Sequence, residues 1–184
     1  HFAIKSCSFA ENSARIKITS RTETDSNSPC TNIRIPITFM DSAFNRYDAM
    51  IIDNGEEFEH NFSLPFTPQA AFLDFDEEFF DLTTDSYKII SEPSNYEFKN
   101  SYFKANVTSC QDSVLLRPTL HWVGANQEQL PEGISRFSQK HYWTIEGVNL
   151  DKAEIEAKFY FKISFSERDF DNTLLQDYAS KDSL

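Results

Sequence analysis

A chain of 184 residues has room for one full domain or two small ones, and its 17 Lys+Arg against 29 Asp+Glu give a formal net charge of -12. That balance excludes a chain-wide grip on nucleic acid and argues against binding to an anionic membrane surface. With 40% hydrophobic residues the composition is that of a folded domain, while four glycines leave no phosphate-cradling glycine pattern anywhere.

Taken in chain order, the dominant signal is period-two alternation, the mark of strands with one buried face. In ARIKIT, Ile16 and Ile18 alternate with charge. In NIRIPITF, Ile33, Ile35, Ile37 and Phe39 share a face; in EHNFSL, His60, Phe62 and Leu64 do. AFLDF opens another short run at Phe72. The turn-rich segment SEPSNYEFKNS, 91–101, then divides about six strand candidates from four more: YFKANVT, SVLLRPTLHWV, KHYWTIEGV and EIEAKFYFKISF. In the last of these Ile155, Ala157, Phe159, Phe161, Ile163 and Phe165 point one way and the polar residues the other. Helical pattern is confined to a short turn over Phe79–Leu82 and a terminal segment over Phe170–Tyr178. The expectation is an all-β protein: an antiparallel β-sandwich of immunoglobulin or fibronectin type over 1–92, a second small β-section over 101–166 packed on it, and a tail or short helix over 167–184. No run approaches the roughly 18 apolar residues a membrane span requires.

Chemistry is harder to find. The acidic stretch FLDFDEEFFDLTTD offers Asp74, Asp76, Glu78 and Asp81 as hard oxygen ligands for calcium. The EF-hand glycine is missing, because Phe79 stands at the sixth position, so a solvated acidic turn anchored by phenylalanines is the favoured reading. The histidines His1, His60, His121 and His141 show no zinc spacing, and His60 reads as a core histidine. Trp122, Tyr142 and Trp143 are candidates for a stacking surface that would take a sugar or peptide, against the commoner role of core aromatics. Cys7 and Cys30 flank one hairpin-like stretch and would pair only in an oxidising compartment; with Cys110 they otherwise read as idle thiols. Asn61 and Asn106 head glycosylation sequons, relevant only in a eukaryotic secretory setting. The start at His1, without an initiator Met, suggests a removed leader or an excised piece of a longer chain. No complete catalytic constellation and no cofactor pattern is present, so no enzyme is expected in this chain.

Three segments together carry a family resemblance. NIRIPITFMD, followed by FEHNFSLPFTPQAAFLDFDEEFFDLTTD, resembles the β-sandwich that follows the catalytic domain in zinc metallopeptidases of the aminopeptidase N family. There a strand of the form polar-Ile-Pro-aliphatic precedes an aliphatic-Asp-x-Asp turn, here Leu73, Asp74, Phe75 and Asp76. DSVLLRPTLHWVGA and ISRFSQKHYWTIEGV are similar to the C-terminal extension of secreted bacterial members, with a Leu-aliphatic-Arg…His-aromatic strand and a Tyr-Trp-x-aliphatic-x-Gly strand. The tail RDFDNTLL fits an Asp-Asn-x-Leu-Leu close. The resemblance covers roughly Asn32 to Leu175. It implies a non-catalytic accessory domain of a secreted, periplasmic or cell-surface peptidase whose zinc motif would lie in an upstream catalytic domain, its partner. No catalytic or metal-binding residue carries over. The alternative is a stand-alone immunoglobulin-like or carbohydrate-binding adhesion module.

Overall fold

The computed structural model describes residues 1–21, 31–78, 82–125 and 140–160. Among them the protein is all-β. Thirteen strands form four antiparallel sheets, with a single 3-10 turn at Leu150–Lys152 and no α-helix. The alternating segments become strands as their period demands.

The first pair of sheets joins β1 (Phe2–Ala10), β2 (Ser13–Ser20) and β5 (Glu57–Ser63) on one side with β4 (Arg46–Asn54), β3 (Thr31–Met40) and β6 (Ala70–Leu73) on the other. Between them lies a core in which Ile16, Ile18, Ile37, Phe39 and Ile51 are fully buried, with Ile35 nearly so. His60 and Phe62 stand only half inside this sandwich, while their alternation partners Phe58 and Leu64 are buried. The His60 Nε2 lies 3.3 Å from the Ile52 carbonyl.

The second pair joins β12 (Tyr142–Val148), β11 (Val114–His121), β7 (Thr83–Asp85) and β8 (Lys88–Ile90) with β13 (Ala153–Phe159), β10 (Phe103–Cys110) and β9 (Ser94–Phe98). Its core holds Ile90, Phe98, Phe103, Ala105, Val114 and Leu116. Two features differ from the sequence expectation. The turn-rich segment 91–101 carries strand β9, registered against β10 from Phe98↔Phe103 to Ser94↔Val107. The chain also changes sheets before residue 92, because β7 and β8 already pair with β11.

The last long strand alternates as expected, but its inward face is shallow. Ile155 is half-buried, Ala157 is exposed and Phe159 is 41% exposed, because among the described residues β13 is an edge strand that meets its sheet only through β10. Phe159 is therefore not core; its ring rests against Phe103 and Trp143. Phe161, Ile163, Phe165, the tail 167–184, and all of the Phe79–Leu82 turn except exposed Leu82 lie outside the described residues.

A third cluster binds the two sandwiches together: Met40, Ala70, Phe72 and Phe75 from the first section meet Leu115 and Val148 from the second. Strand β11 consequently has both faces covered, which is why VLLRPTLH is buried at all eight positions. The Asn149 side chain reinforces this seam. It adopts a left-handed φ of 60° and its Nδ2 donates to the carbonyls of Ser42, at 2.9 Å, and Ser113, at 3.2 Å. Gly147 is required nearby, since a Cβ there would collide with the Leu115 carbonyl oxygen and the Leu150 side chain. The obstacle is backbone, which cannot rotate away. Gly147→Ala is therefore expected to destabilise the fold by about 3 kcal/mol or more in urea unfolding, against the ~1 kcal/mol or less of an ordinary strand substitution.

Candidate functional site

The seam is organised by one cation. Arg117 projects from the middle of β11 and is 3% exposed. Its Nη1 donates to the Leu73 carbonyl at 2.9 Å and its Nη2 to the Asp74 carbonyl at 3.1 Å. Nη2 also pairs with the buried carboxylate of Asp85 on the adjacent strand β7, and Nη1 lies 3.7 Å from Glu146 on β12. The guanidinium sits over the rings of Phe72 and Phe75. A planar fork that satisfies two carbonyls and a carboxylate at once is a task for arginine, not lysine.

Local sequence explains why those carbonyls are presented. Pro36 has no N–H to give, and it falls just past the point where β6 stops pairing with β3 at Ile37↔Leu73. Its carbonyl accepts instead from the Asp74 N–H at 2.9 Å. Asp74 then turns the chain with φ 43° and accepts the Glu78 N–H on its own Oδ1 at 2.8 Å.

Further along the same face of β11 follow Thr119 and His121. His121 is buried, stacks on Tyr142 with ring centroids 4.2 Å apart, and hydrogen-bonds through Nε2 to the Thr144 hydroxyl at 2.9 Å. Its Nδ1 is 2.9 Å from His1 Nε2. Burial, with Arg117 adding to it, lowers the His121 pKa to about 4, so the ring is neutral at pH 7. Burial raises the Asp85 carboxyl above its ordinary value against the pull of Arg117. Glu146, whose side chain is one-third exposed, is likewise raised by desolvation.

Arg117, Thr119, His121 and Glu146, with Lys5 opposite them, line a partly open cavity of about 360 Å³ between β1 of the first sandwich and β11 and β12 of the second. Phe2 and Ile4 form one wall, Tyr142 and Glu146 another, with Thr119 and Arg117 between them.

The structure distributes the sequence candidates otherwise. Of the acidic group, Asp74 caps its turn, Asp76 is paired with Arg46, Glu78 is exposed, and Asp81 lies outside the described residues. No cluster of three or more His, Cys, Asp or Glu side chains able to hold a metal occurs among the described residues. Phe72 and Phe75 anchor this turn in the seam, as phenylalanines interspersed with acids suggest.

The three aromatics are not brought onto one surface. Tyr142 and Trp143 are consecutive in β12 and so lie on opposite faces. Tyr142 faces the cavity, whereas the Trp143 Nε1 donates to the Ser101 carbonyl at 2.7 Å and its ring meets Phe159. Trp122 lies past the end of β11 and donates to the Thr84 hydroxyl at 3.0 Å. Cys7 is exposed and Cys110 half-buried, both as free thiols, while Cys30 lies outside the described residues. Arg117, Asp85 and Glu146 were not singled out as a site by spacing. The available signal is Arg117 as the only residue with a permanent charge in VLLRPTLH, which demands a partner once that strand is buried.

The fold and this seam define an all-β protein of two interlocked sandwiches with a cavity at their junction. Comparison of the chain with protein-family models, curated proteins and solved structures finds no match.

Two outcomes test the electrostatics. Arg117→Met is expected to cost about 3–5 kcal/mol in chemical denaturation, because Asp85 is left charged and buried. Adding Asp85→Leu is expected to recover part of that loss, so the double variant costs less than the two singles summed. The second outcome concerns acid. Unfolded His121 takes up a proton near pH 6.5 but the folded ring does so only near 4. Its contribution to stability is complete above pH 6.5 and is lost as pH falls towards 4, at most roughly 3 kcal/mol. Asp85 and Glu146 have the opposite sign, since raised carboxyl values favour the folded state on acidification. His121→Gln is therefore expected to flatten or reverse the fall of melting temperature between pH 6.5 and 4.

Proposed function

We propose that the chain is a non-catalytic scaffold section of a secreted, bacterial zinc metallopeptidase resembling the aminopeptidase N family, holding or positioning surfaces for a catalytic domain elsewhere. The observation that carries this reading is the meeting of the three resembling segments at one place. Arg117, from the Leu-aliphatic-Arg strand, grips the carbonyls of Leu73 and Asp74 in the aliphatic-Asp-x-Asp turn. His121 of that strand stacks on Tyr142 of the Tyr-Trp strand, whose Gly147 fits against the Leu115 carbonyl. Motif residues spent on gripping each other make a rigid support, not a reacting centre. Zinc, on this reading, belongs to the catalytic domain.

The stand-alone adhesion module has less support, because Trp122, Tyr142 and Trp143 do not share a surface. Expressed by itself, the chain is expected to contain substoichiometric zinc by elemental analysis and to leave aminoacyl-p-nitroanilides uncleaved. One zinc per chain, with hydrolysis lost on chelation, would overturn the scaffold reading.

A further inference from the structure

We propose that the open edge of β4, with the acidic trough beside it, takes an extended segment of another polypeptide, added antiparallel and carrying two aliphatic residues and a Lys or Arg at alternate positions. The inference does not depend on whether the chain belongs to a peptidase.

Its first support is the direction of the backbone. Among the described residues β4 pairs only with β3. Met50 stands opposite Pro36, and the Pro36 carbonyl points the other way, where it accepts the Asp74 N–H at 2.9 Å. Residues opposite each other in an antiparallel ladder exchange both bonds or neither. The N–H and C=O of Met50 therefore face away from β3, as do those of Asp48 two residues earlier. The Ile52 carbonyl lies on the same side, where the His60 ring meets it at 3.3 Å. Among the described residues nothing hydrogen-bonds to the outward backbone groups of Asp48 and Met50.

The second support is the absence of the usual guards. Sheet edges are blunted by charges, prolines or bulges. Strand β1 carries Lys5 and a bulge between Ile4 and Ser6, and β13 alternates Glu154, Glu156 and Lys158. In β4 the stretch Ala49–Ile52 has none of these. Met50 and Ile52 are 53% and 49% exposed on its outer face.

Charge selects the occupant. A trough of about 260 Å³ lies beside Met50, and its charged lining is Arg46 against Asp48, Asp74, Asp76 and Glu78. Arg46 pairs with Asp48 and Asp76, whereas Glu78 has no ion-pair partner among the described residues. Arg117, near Asp74, is already matched by Asp85. Arg34 stands at the far end of the face, opposite Ile52. The edge therefore suits a basic residue opposite Asp48 and aliphatic residues opposite Met50 and Ile52. A second copy of the chain would instead bring together two surfaces of net charge -12.

The test is amide exchange and NMR titration of the whole chain with the acetylated, amidated peptide Val-Thr-Val-Thr-Lys and its counterpart ending in Glu. In the free protein the Asp48 and Met50 amides are expected to exchange faster than those of Ala49 and Ile51. The Lys peptide is expected to bind saturably and to slow the Asp48 and Met50 amides about tenfold or more. The Glu peptide should bind about fivefold more weakly, the ~1 kcal/mol of an exposed ion pair. Met50→Pro removes an outward N–H and leaves the bonds to β3 in place, so it should abolish binding in a folded protein. Glu78→Gln, on an exposed turn, should weaken the Lys peptide about threefold at unchanged melting temperature, and it carries the test if Met50→Pro does not fold. Four results would overturn the proposal. They are no saturable binding, equal binding of the two peptides, binding undiminished by the folded variants, or edge amides already protected in the free protein. Protection that rises with protein concentration would assign the edge to a second copy, and protection independent of it to a segment of the same chain.

Discussion

Everything at the centre of this molecule depends on placing a permanent positive charge where water does not reach. Arg117 is acceptable inside β11 only because a turn from the other sandwich delivers two carbonyls and β7 delivers a carboxylate. Removing a buried charge from water costs several kcal/mol, and the compensation must be geometrically complete. The two sandwiches are therefore not free to choose their relative placement. The position that satisfies Arg117 is also the one that buries Phe72, Phe75, Leu115 and Val148. Apolar burial supplies most of the attraction, whereas the guanidinium supplies the register.

The same face of β11 explains the cavity. Leu115 is apolar and closes one end of the seam tightly. Arg117, Thr119 and His121 follow in alternation, and their polar groups cannot be covered by aliphatic side chains without loss. Packing consequently gives way to a hollow of mixed lining bounded by β1 and β12. His121 resolves its own requirement through Thr144 and the stack on Tyr142, while the Thr119 hydroxyl and the Nε of Arg117 find no hydrogen-bond partner among the described residues.

How far the sequence revealed this differs from residue to residue. Ile16, Ile18, Ile35, Ile37 and Phe39 were legible as core because each lies in a strand whose faces differ sharply in polarity. The class, all-β and antiparallel, followed from the same alternation. Strand β9 was illegible: SNYEF has the turn-formers of a linker, and its pairing with β10 is a tertiary fact. Phe159 misled because alternation reports which side a residue faces, not how deep that side lies. The acidic stretch reads as an anchored turn in both sequence and structure. Carboxylates at spacing two in sequence were committed to separate partners in space, Asp74 to its own turn and Asp76 to Arg46. Tyr142 and Trp143 show the converse, since adjacency within a strand guarantees opposite faces. The site itself joins β1, β6, β7, β11 and β12, a convergence that no local spacing encodes.

Amide hydrogen exchange under native conditions tests the central claim most directly, that the Arg117 seam makes the two sandwiches one cooperative unit. The slowest amides of β3 and of β11 are expected to exchange with the same opening free energy, and Arg117→Met is expected to split them into two classes. Separate opening free energies for the two strands in the unsubstituted protein, unchanged by Arg117→Met, would contradict the account.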